Sequence, residues 1–301
     1  MESPLIGPFL IVLCSFLWAS DTLFRLPLLA HADALTIVLI EHAVATMVML
    51  PVLFARAPRF RVLRPQDWTS IAFIGVMGSA VATLCLTASY HYINPSVAIL
   101  LQKLQPLVSI TGARVFLGER PRGRVYVWGL AALAGAMLLS APELAQAEFG
   151  FKARGLLLAL VAIVSWGLST VFGRYASQRN DFAVLAFLRF VFGFAALGVY
   201  AAASGNIPKA SAALFHAGAS TLSSLAYIAL VSGVFAMNLY YAGLRRTPAT
   251  VASIAELSFP LAAVILNWVF LDQRLTALQL AGGCLLVFSV FAVAGNKPKG
   301  E

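Results

Sequence analysis

FLWASDTLFR, residues 16–25, returns as SWGLSTVFGR, residues 165–174. Tryptophan, threonine and phenylalanine recur 148 residues apart, and arginine 149 apart. A second echo lies further on. Pro106, followed by Leu117-Gly-Glu119-Arg120, corresponds to Pro260, followed by Leu271-Asp-Gln-Arg274, at an offset of 154. Taken in order, the echoes divide the chain into two halves, 1–147 and 148–301.

Composition says what the halves are made of. The 301 residues are 60% hydrophobic and only 11% charged, where a soluble domain carries roughly 25% charged residues. That much apolar surface cannot be hidden in a water-facing fold, so the chain reads as an all-α integral membrane protein. Spans are expected near 5–24, 34–55, 67–89, 95–116, 123–141, 154–174, 182–203, 217–242, 249–271 and 276–294, which is ten. Helices are preferred over barrel strands because strands would alternate polar and apolar residues. Breakers separate the spans, among them Arg64-Pro-Gln-Asp, Glu119-Arg-Pro-Arg, Ala141-Pro-Glu and Gly205-Asn-Ile-Pro. Pro95 and Pro248 stand where a new helix starts, a position that tolerates proline. The first span lacks a basic leader and is read as retained rather than as a signal peptide. Five spans per half is an odd number, so the second half must be inserted upside down. The expected architecture is an inverted-topology repeat, common among secondary transporters.

Orientation follows from lysine and arginine in the loops. With a cytoplasmic N-terminus, fourteen of the 21 basic residues fall on the cytoplasmic side, including Arg56, Arg59, Arg61, Arg64, Arg114, Arg120 and Arg174. Five fall on the other face: Arg25, Lys152, Arg154, Lys209 and Arg274. Both termini are therefore expected in the cytoplasm, and this bias accounts for most of the net charge of +9 without a nucleic-acid partner. Cys14, Cys85 and Cys284 all fall inside spans, have no metal spacing and read as small apolar packing residues. No nucleophile elbow, zinc motif or phosphate loop is present, so no cofactor or metal is expected. Gly282-Gly283 reads as a close helix contact.

Ten spans in two such halves, tryptophan early in spans one and six, and Pro106-x(10)-Leu117-Gly-Glu-Arg120 resemble the drug/metabolite transporter superfamily, EamA-type branch. Within it the chain looks most like bacterial exporters of aromatic and other amino acids. The resemblance implies a multi-pass carrier of a bacterial-type inner membrane. It also implies a central cavity lined by spans one to four and six to nine, with spans five and ten outside. The chain departs from the family pattern in having Glu41 and His42 in span two where an arginine is common; Arg189 keeps that arginine in span seven. Leu271-Asp-Gln-Arg274 departs likewise from the Leu-Gly-Glu-Arg pattern.

Lys103 and Arg189 lie inside spans, where a charge costs at least about 3 kcal/mol and should find a partner. Lys103 is eight residues past Pro95 and Glu41 seven past Ala34, so both sit about 12 Å below the outer surface. Arg189 and Glu256 lie at matching depth from the inner face. Two pairs are expected to approach each other or share a polar cavity: Glu41 with Lys103, and Arg189 with Glu256. Each pair either fixes helix packing or meets substrate, a coupling ion or a gate. Trp18 and Trp166 lie at the same levels and read as packing residues or as cavity walls, whereas Trp68, Trp128 and Trp268 are left structural. Gln102 and Asn238 could supply amide hydrogen bonds, and His42 a proton. Tyr90-His91-Tyr92 at the outer end of span three and Tyr240-Tyr241 at the inner end of span eight are either interfacial belts or candidate gates.

The expected function is export of a zwitterion by alternating access, with no catalysis. Lys103 or Arg189 would hold the carboxylate, Glu41 or Glu256 the ammonium, and Trp18 and Trp166 the side chain. Asp21, Glu41, His42 and Glu256 are the candidates if a proton gradient drives transport. The rival substrate is a cationic drug. A lipid-modifying enzyme would need carboxylates or histidines clustered at one interface, and a scaffold or receptor would need a long loop or soluble domain; neither feature is present.

Overall fold

The computed structural model describes residues 5–141, 152–205, 218–271 and 275–295. The boundary between the halves at 147/148, Leu271-Asp-Gln-Arg274 beyond its first residue, Asn206-Ile-Pro, Lys209, Lys297 and Lys299 lie outside the described residues. Among the described residues there is no strand. The helices are α1 (Ile6–Leu28), α2 (Ala34–Ala55), α3 (Pro65–Ser89), α4 (Pro95–Gln102), α5 (Gln105–Phe116), α6 (Gly123–Leu139), α7 (Ala153–Ser177), α8 (Phe182–Ala203), α9 (Ala219–Leu244), α10 (Ala249–Ala255), α11 (Phe259–Leu271) and α12 (Ala277–Ala294), with a single turn at Ala57–Phe60. Among the described residues, eight stretches are helices long and apolar enough to cross a membrane, whereas Gly123–Leu139 has 17 residues. The molecule is thus a multi-pass membrane protein. Large apolar side chains such as Phe54, Leu130, Val199 and Phe288 stand exposed around it, as a lipid-facing surface requires.

Local chemistry sets the helix ends. Asp33 accepts from Thr36 N at 2.9 Å and starts α2, and Asp181 accepts from Ala183 N at 3.0 Å and starts α8. Both are N-caps, which answer otherwise orphaned amides. They lie 148 residues apart, and each opens a helix of 22 residues. Further along, the recurrence is 154. The middles of α3 and α9 are wide-turned π-helical segments of eight residues, Ile74–Val81 and Ile228–Phe235.

Spans four and nine, read from the sequence as continuous, are broken. α4 stops at Gln102 and α5 begins at Gln105; α10 stops at Ala255, a 3₁₀ turn covers Glu256–Ser258, and α11 follows. The cause is Pro106 and Pro260. Each lacks an N–H and crowds the carbonyl four residues back, which belongs to Gln102 and Glu256 respectively. The two breaks therefore fall at polar residues facing the interior.

Glycines set how closely helices meet. A Cβ on Gly135 of α6 would lie 2.7 Å from the Gly282 carbonyl of α12, and one on Gly282 would lie 2.8 Å from the Gly135 carbonyl. These backbones touch, as small residues allow in membranes, and Leu139, Leu286, Ala132 and Ala136 bury around the crossing. α1 meets α9 in the same way through Gly7 and Gly243. The largest buried cluster joins α1, α2, α3, α8 and α9.

Candidate functional site

The bundle encloses a cavity of about 200 Å³, far more than the roughly 10–15 Å³ one water needs. Its walls come from α1–α5 and α7–α11; no residue of α6 or α12 lines it. Asp21, Glu41 and Glu256 supply three carboxylates and Arg25, Lys103 and Arg189 three cations. Trp18, Tyr90, Trp166, Phe190, Tyr240 and Phe259 supply aromatic faces.

The partners of these charges differ from the expected pairs. Glu41 is held not by Lys103 but by Arg25, at 2.8 Å from Nη2 to Oε2. Arg25 Nε lies 2.5 Å from Asp21 Oδ2 one turn back on α1, and Ser232 Oγ of α9 donates to Asp21 Oδ1 at 2.6 Å. Arg25 is 6% exposed and belongs to the interior, not to a loop. The reason is that α1 continues past it to Leu28. The sequence did carry a signal: Asp21 and Arg25 are four residues apart in an apolar run, the spacing of an intrahelical ion pair. Lys103, at the break between α4 and α5, donates through Nζ to Ser140 Oγ at 2.5 Å beyond the end of α6. Glu41 and Lys103 do line the same cavity.

Arg189 and Glu256 also line that cavity without pairing. Arg189 donates to the Gly78 carbonyl at 2.9 Å, to Ser79 Oγ at 3.2 Å and to Tyr241 Oη at 3.3 Å. Glu256 accepts from Gln105 Nε2 at 2.6 Å, Tyr240 Oη at 2.7 Å and Thr170 Oγ1 at 3.4 Å. All of these partners are neutral. The rings of Tyr240 and Tyr241 lie 5.6 Å apart, so the cation and the carboxylate stand at the two ends of a tyrosine pair. The wide-turned segment of α3 makes this possible. A Cβ on Gly78 would collide with Ser169 of α7, and the carbonyl brought inward there accepts from both Arg189 and Trp166 Nε1, the latter at 2.8 Å.

The remaining candidates divide. Trp18 lines the cavity with its ring centroid 5.1 Å from that of Tyr240. Gln102 and Tyr90 line it too. His42 donates from Nδ1 to the Val38 carbonyl at 2.8 Å and meets Ser79 Oγ through Nε2 at 2.9 Å, which places it in the chain that begins at Arg189. Asn238 does not line the cavity; its amide returns to the Val234 carbonyl of its own helix at 2.8 Å. His91 is exposed, and Tyr92 lies under the Arg154 guanidinium at 5.0 Å; neither lines the cavity. Tyr240 and Tyr241, expected at a membrane face, are 4% and 0% exposed inside the bundle, because α9 runs on to Leu244. Trp68 packs on Phe192 and Trp128 on Phe288, as structural residues do.

Two charged residues outside the cavity bind helix ends. Glu119 accepts from Ala249 N at 2.7 Å, Thr250 N at 3.0 Å and Thr250 Oγ1 at 2.8 Å, capping α10 from the loop after α5. Arg174, counted as a loop cation from the sequence, is 8% exposed and donates to the Leu244 and Arg245 carbonyls at 2.8 and 2.6 Å, closing the end of α9.

A bundle of apolar helices around a charged, aromatic, ligand-sized cavity, with two helices broken at its walls, defines a membrane carrier of small molecules. The model of the EamA-like transporter family matches residues 5–141 and again 153–295, and the chain belongs to that family. It is 27% identical to the riboflavin transporter ImpX of Fusobacterium nucleatum subsp. nucleatum, over 98% of this chain and 99% of that one. It is also 25% identical to the uncharacterized transporter YdfC of Bacillus subtilis, over 80% and 76%, and 22% identical to an uncharacterized transporter of Archaeoglobus fulgidus, over 77% and 79%. A protein of known crystal structure superposes with a TM-score of 0.72 at 20% identity, over 97% of this chain and 95% of that one, a likeness of fold.

Proposed function

We propose that this carrier exports small zwitterionic metabolites, neutral amino acids with aromatic side chains first among them, across a bacterial-type inner membrane. The observation that carries the reading is the pair Arg189 and Glu256. Each lines the cavity and has only neutral partners. A carboxylate at Arg189 and an ammonium at Glu256 would give each buried charge the opposite charge it lacks, and Trp18, Trp166 and Tyr240 would face the side chain. Among the described residues, cations and carboxylates are equal in number along the walls, three of each. That balance suits a zwitterion and disfavours a cationic drug, which would call for an excess of carboxylates.

In this reading ten spans form two inverted five-helix halves, 1–147 and 148–301, that rock about the cavity, with both termini in the cytoplasm. Supporting it are the helix bounds that recur at 148 and 154 residues, the family model matching twice in succession, and the bias of basic loops. A second reading is transport of a neutral planar heterocycle, favoured by the likeness to ImpX along nearly the whole chain.

Counterflow in liposomes holding only the purified protein tests both. Labelled tryptophan should exchange with unlabelled tryptophan, phenylalanine and leucine, and not with tetraphenylphosphonium. Exchange with riboflavin and with no amino acid would replace the first reading by the second.

A further inference from the structure

We propose that Arg25 is a helix-end clamp matched to Arg174 and disengaged in this conformation. In a second conformation it leaves Asp21 and Glu41 and donates to the carbonyls of Tyr90 and His91 at the end of α3. The proposal rests on the reading of the protein as a carrier of two inverted halves. It does not depend on what the Arg189–Glu256 site holds.

Several contacts occur twice, at offsets of 148 and 154 residues. A Cβ on Gly7, at the start of α1, would meet Arg246 Cβ at 3.0 Å, just past the end of α9. A Cβ on Gly155, at the start of α7, would meet Tyr92 Cβ at 2.7 Å, just past the end of α3. Phe24 of α1 stacks on Tyr227 of α9 at 3.9 Å between ring centroids, and Phe172 of α7 packs on Phe73 of α3 at 4.8 Å. The pair α1 with α9 is therefore built like the pair α7 with α3. α7 starts beside the end of α3 and finishes beside the end of α9, 25 residues away, or about 37 Å. The two helix ends thus lie at opposite ends of the bundle.

The arginine contact breaks this rule. Arg174 donates to the Leu244 and Arg245 carbonyls at 2.8 and 2.6 Å, answering acceptors that a helix end leaves free. The repeat puts Arg25 in the place of Arg174, and Tyr90 and His91 in the places of Leu244 and Arg245. Arg25 does not reach them. Its Nε and Nη2 are held by Asp21 and Glu41 at 2.5 and 2.8 Å, and its Nη1 is sealed with no hydrogen-bond partner. A buried donor left unanswered is costly, and the two carbonyls would answer it. Tyr90 and Arg25 line the same cavity. The positions equivalent to Asp21 and Glu41 hold Ser169 and Arg189, so neither supplies an acid to draw Arg174 off its helix end. A second contact is likewise one-sided. Thr250 N is capped across the bundle by Glu119 at 3.0 Å, whereas Ser96 N, its counterpart, is capped at 2.8 Å by the adjacent turn residue Asn94. The bundle is clamped at its Leu244 end, and the mirror arrangement at the Tyr90 end requires Arg25 to change partners.

Distances between spin labels test this without substrate. Nitroxides are placed on His31→Cys, after α1, and His91→Cys, after α3, both exposed. The full chain carries Cys85→Ala and Cys284→Ala, and Cys14 is sealed from reagent. With Arg25 and its two acids intact, the longer of two distances should dominate. Asp21→Asn with Glu41→Gln releases Arg25, and the ratio of short to long should rise about tenfold, the equivalent of one charged hydrogen bond. Arg174→Gln, made separately with both acids kept, frees the Leu244 end and should raise the same ratio. Adding Arg25→Gln to either chain should return the ratio to its starting value, a reversal that a role confined to holding α1 against α2 does not produce. A short distance that persists without Arg25 overturns the clamp and leaves the carrier reading standing. One unchanging distance in every chain overturns the clamp together with the rocking of the halves.

Discussion

Glu119 offers the sharpest test of how the loop after α5 holds the bundle. Its carboxylate accepts three hydrogen bonds at the start of α10, two from backbone amides of Ala249 and Thr250. Those residues are 0% and 1% exposed, so water is poorly placed to replace the lost acceptor in Glu119→Ala. A lost cap costs about 1 kcal/mol, the charge at a helix N-terminus adds up to about 1, and each buried amide left unsatisfied costs about 1–3. Glu119 itself is half-buried, so some water reaches its place; the cap and amide terms count the same hydrogen bonds and overlap, leaving a net loss of about 2–3 kcal/mol. At roughly 2 °C per kcal/mol for a chain of this size, the melting midpoint in detergent, followed by tryptophan fluorescence, should fall by about 4–6 °C. Glu119→Gln keeps one acceptor oxygen and should fall by about half as much. Arg120→Ala, an exposed change next door, should stay within about 1 °C. If Glu119→Ala shifts the midpoint no further than Arg120→Ala, the cap holds nothing together and the reasoning fails.

Four further outcomes follow from named contacts. Arg189→Lys keeps the charge and loses the fork that reaches Gly78, Ser79 and Tyr241, so the KM of tryptophan counterflow should rise about tenfold, the equivalent of one charged hydrogen bond. Glu256→Gln should raise it by a similar factor for amino acids and leave any riboflavin exchange unaffected. Gly78→Ala should destabilise by about 1–3 kcal/mol through overpacking against Ser169, and Ser169→Gly in the same chain should return most of the loss in a melting assay. Gly135→Ala pushes on the Gly282 backbone, which has no side chain to move aside; it should lower the melting midpoint more than Gly129→Ala on the same helix, where the nearest obstacle is the end of the Ile254 side chain at 3.1 Å.

Much of the architecture was open to view in the sequence because it depends on composition and on helix-end chemistry. Apolar runs, Asp33 and Asp181, and the glycine pair at 282–283 act locally, and local signals survive in a linear text. The breaks at Gln102 and Glu256 were also written there, in Pro106 and Pro260, although the prolines drew notice as a repeat rather than as interruptions. The charge partners were not legible. Depth along a helix follows from counting residues, but which helix face meets which neighbour depends on packing. Equal depth paired Glu41 with Lys103, whereas the face of α2 that carries Glu41 turns to α1. Arg25 was lost to a span ended four residues too early. Asn238 shows the same limit from the other side: a polar residue in an apolar run satisfied itself on its own helix.

The hydrogen bond from Trp166 to the Gly78 carbonyl has an optical consequence. The indole N–H joins α7 to α3 at the wall of the cavity, next to the donor from Arg189. Loss of a hydrogen bond at that nitrogen, or entry of water, changes the energy of the indole excited state. A chain in which Trp18, Trp68, Trp128 and Trp268 are replaced by phenylalanine would therefore carry, in Trp166 alone, a native emission probe. Its colour would report any separation of α3 from α7, with no dye attached.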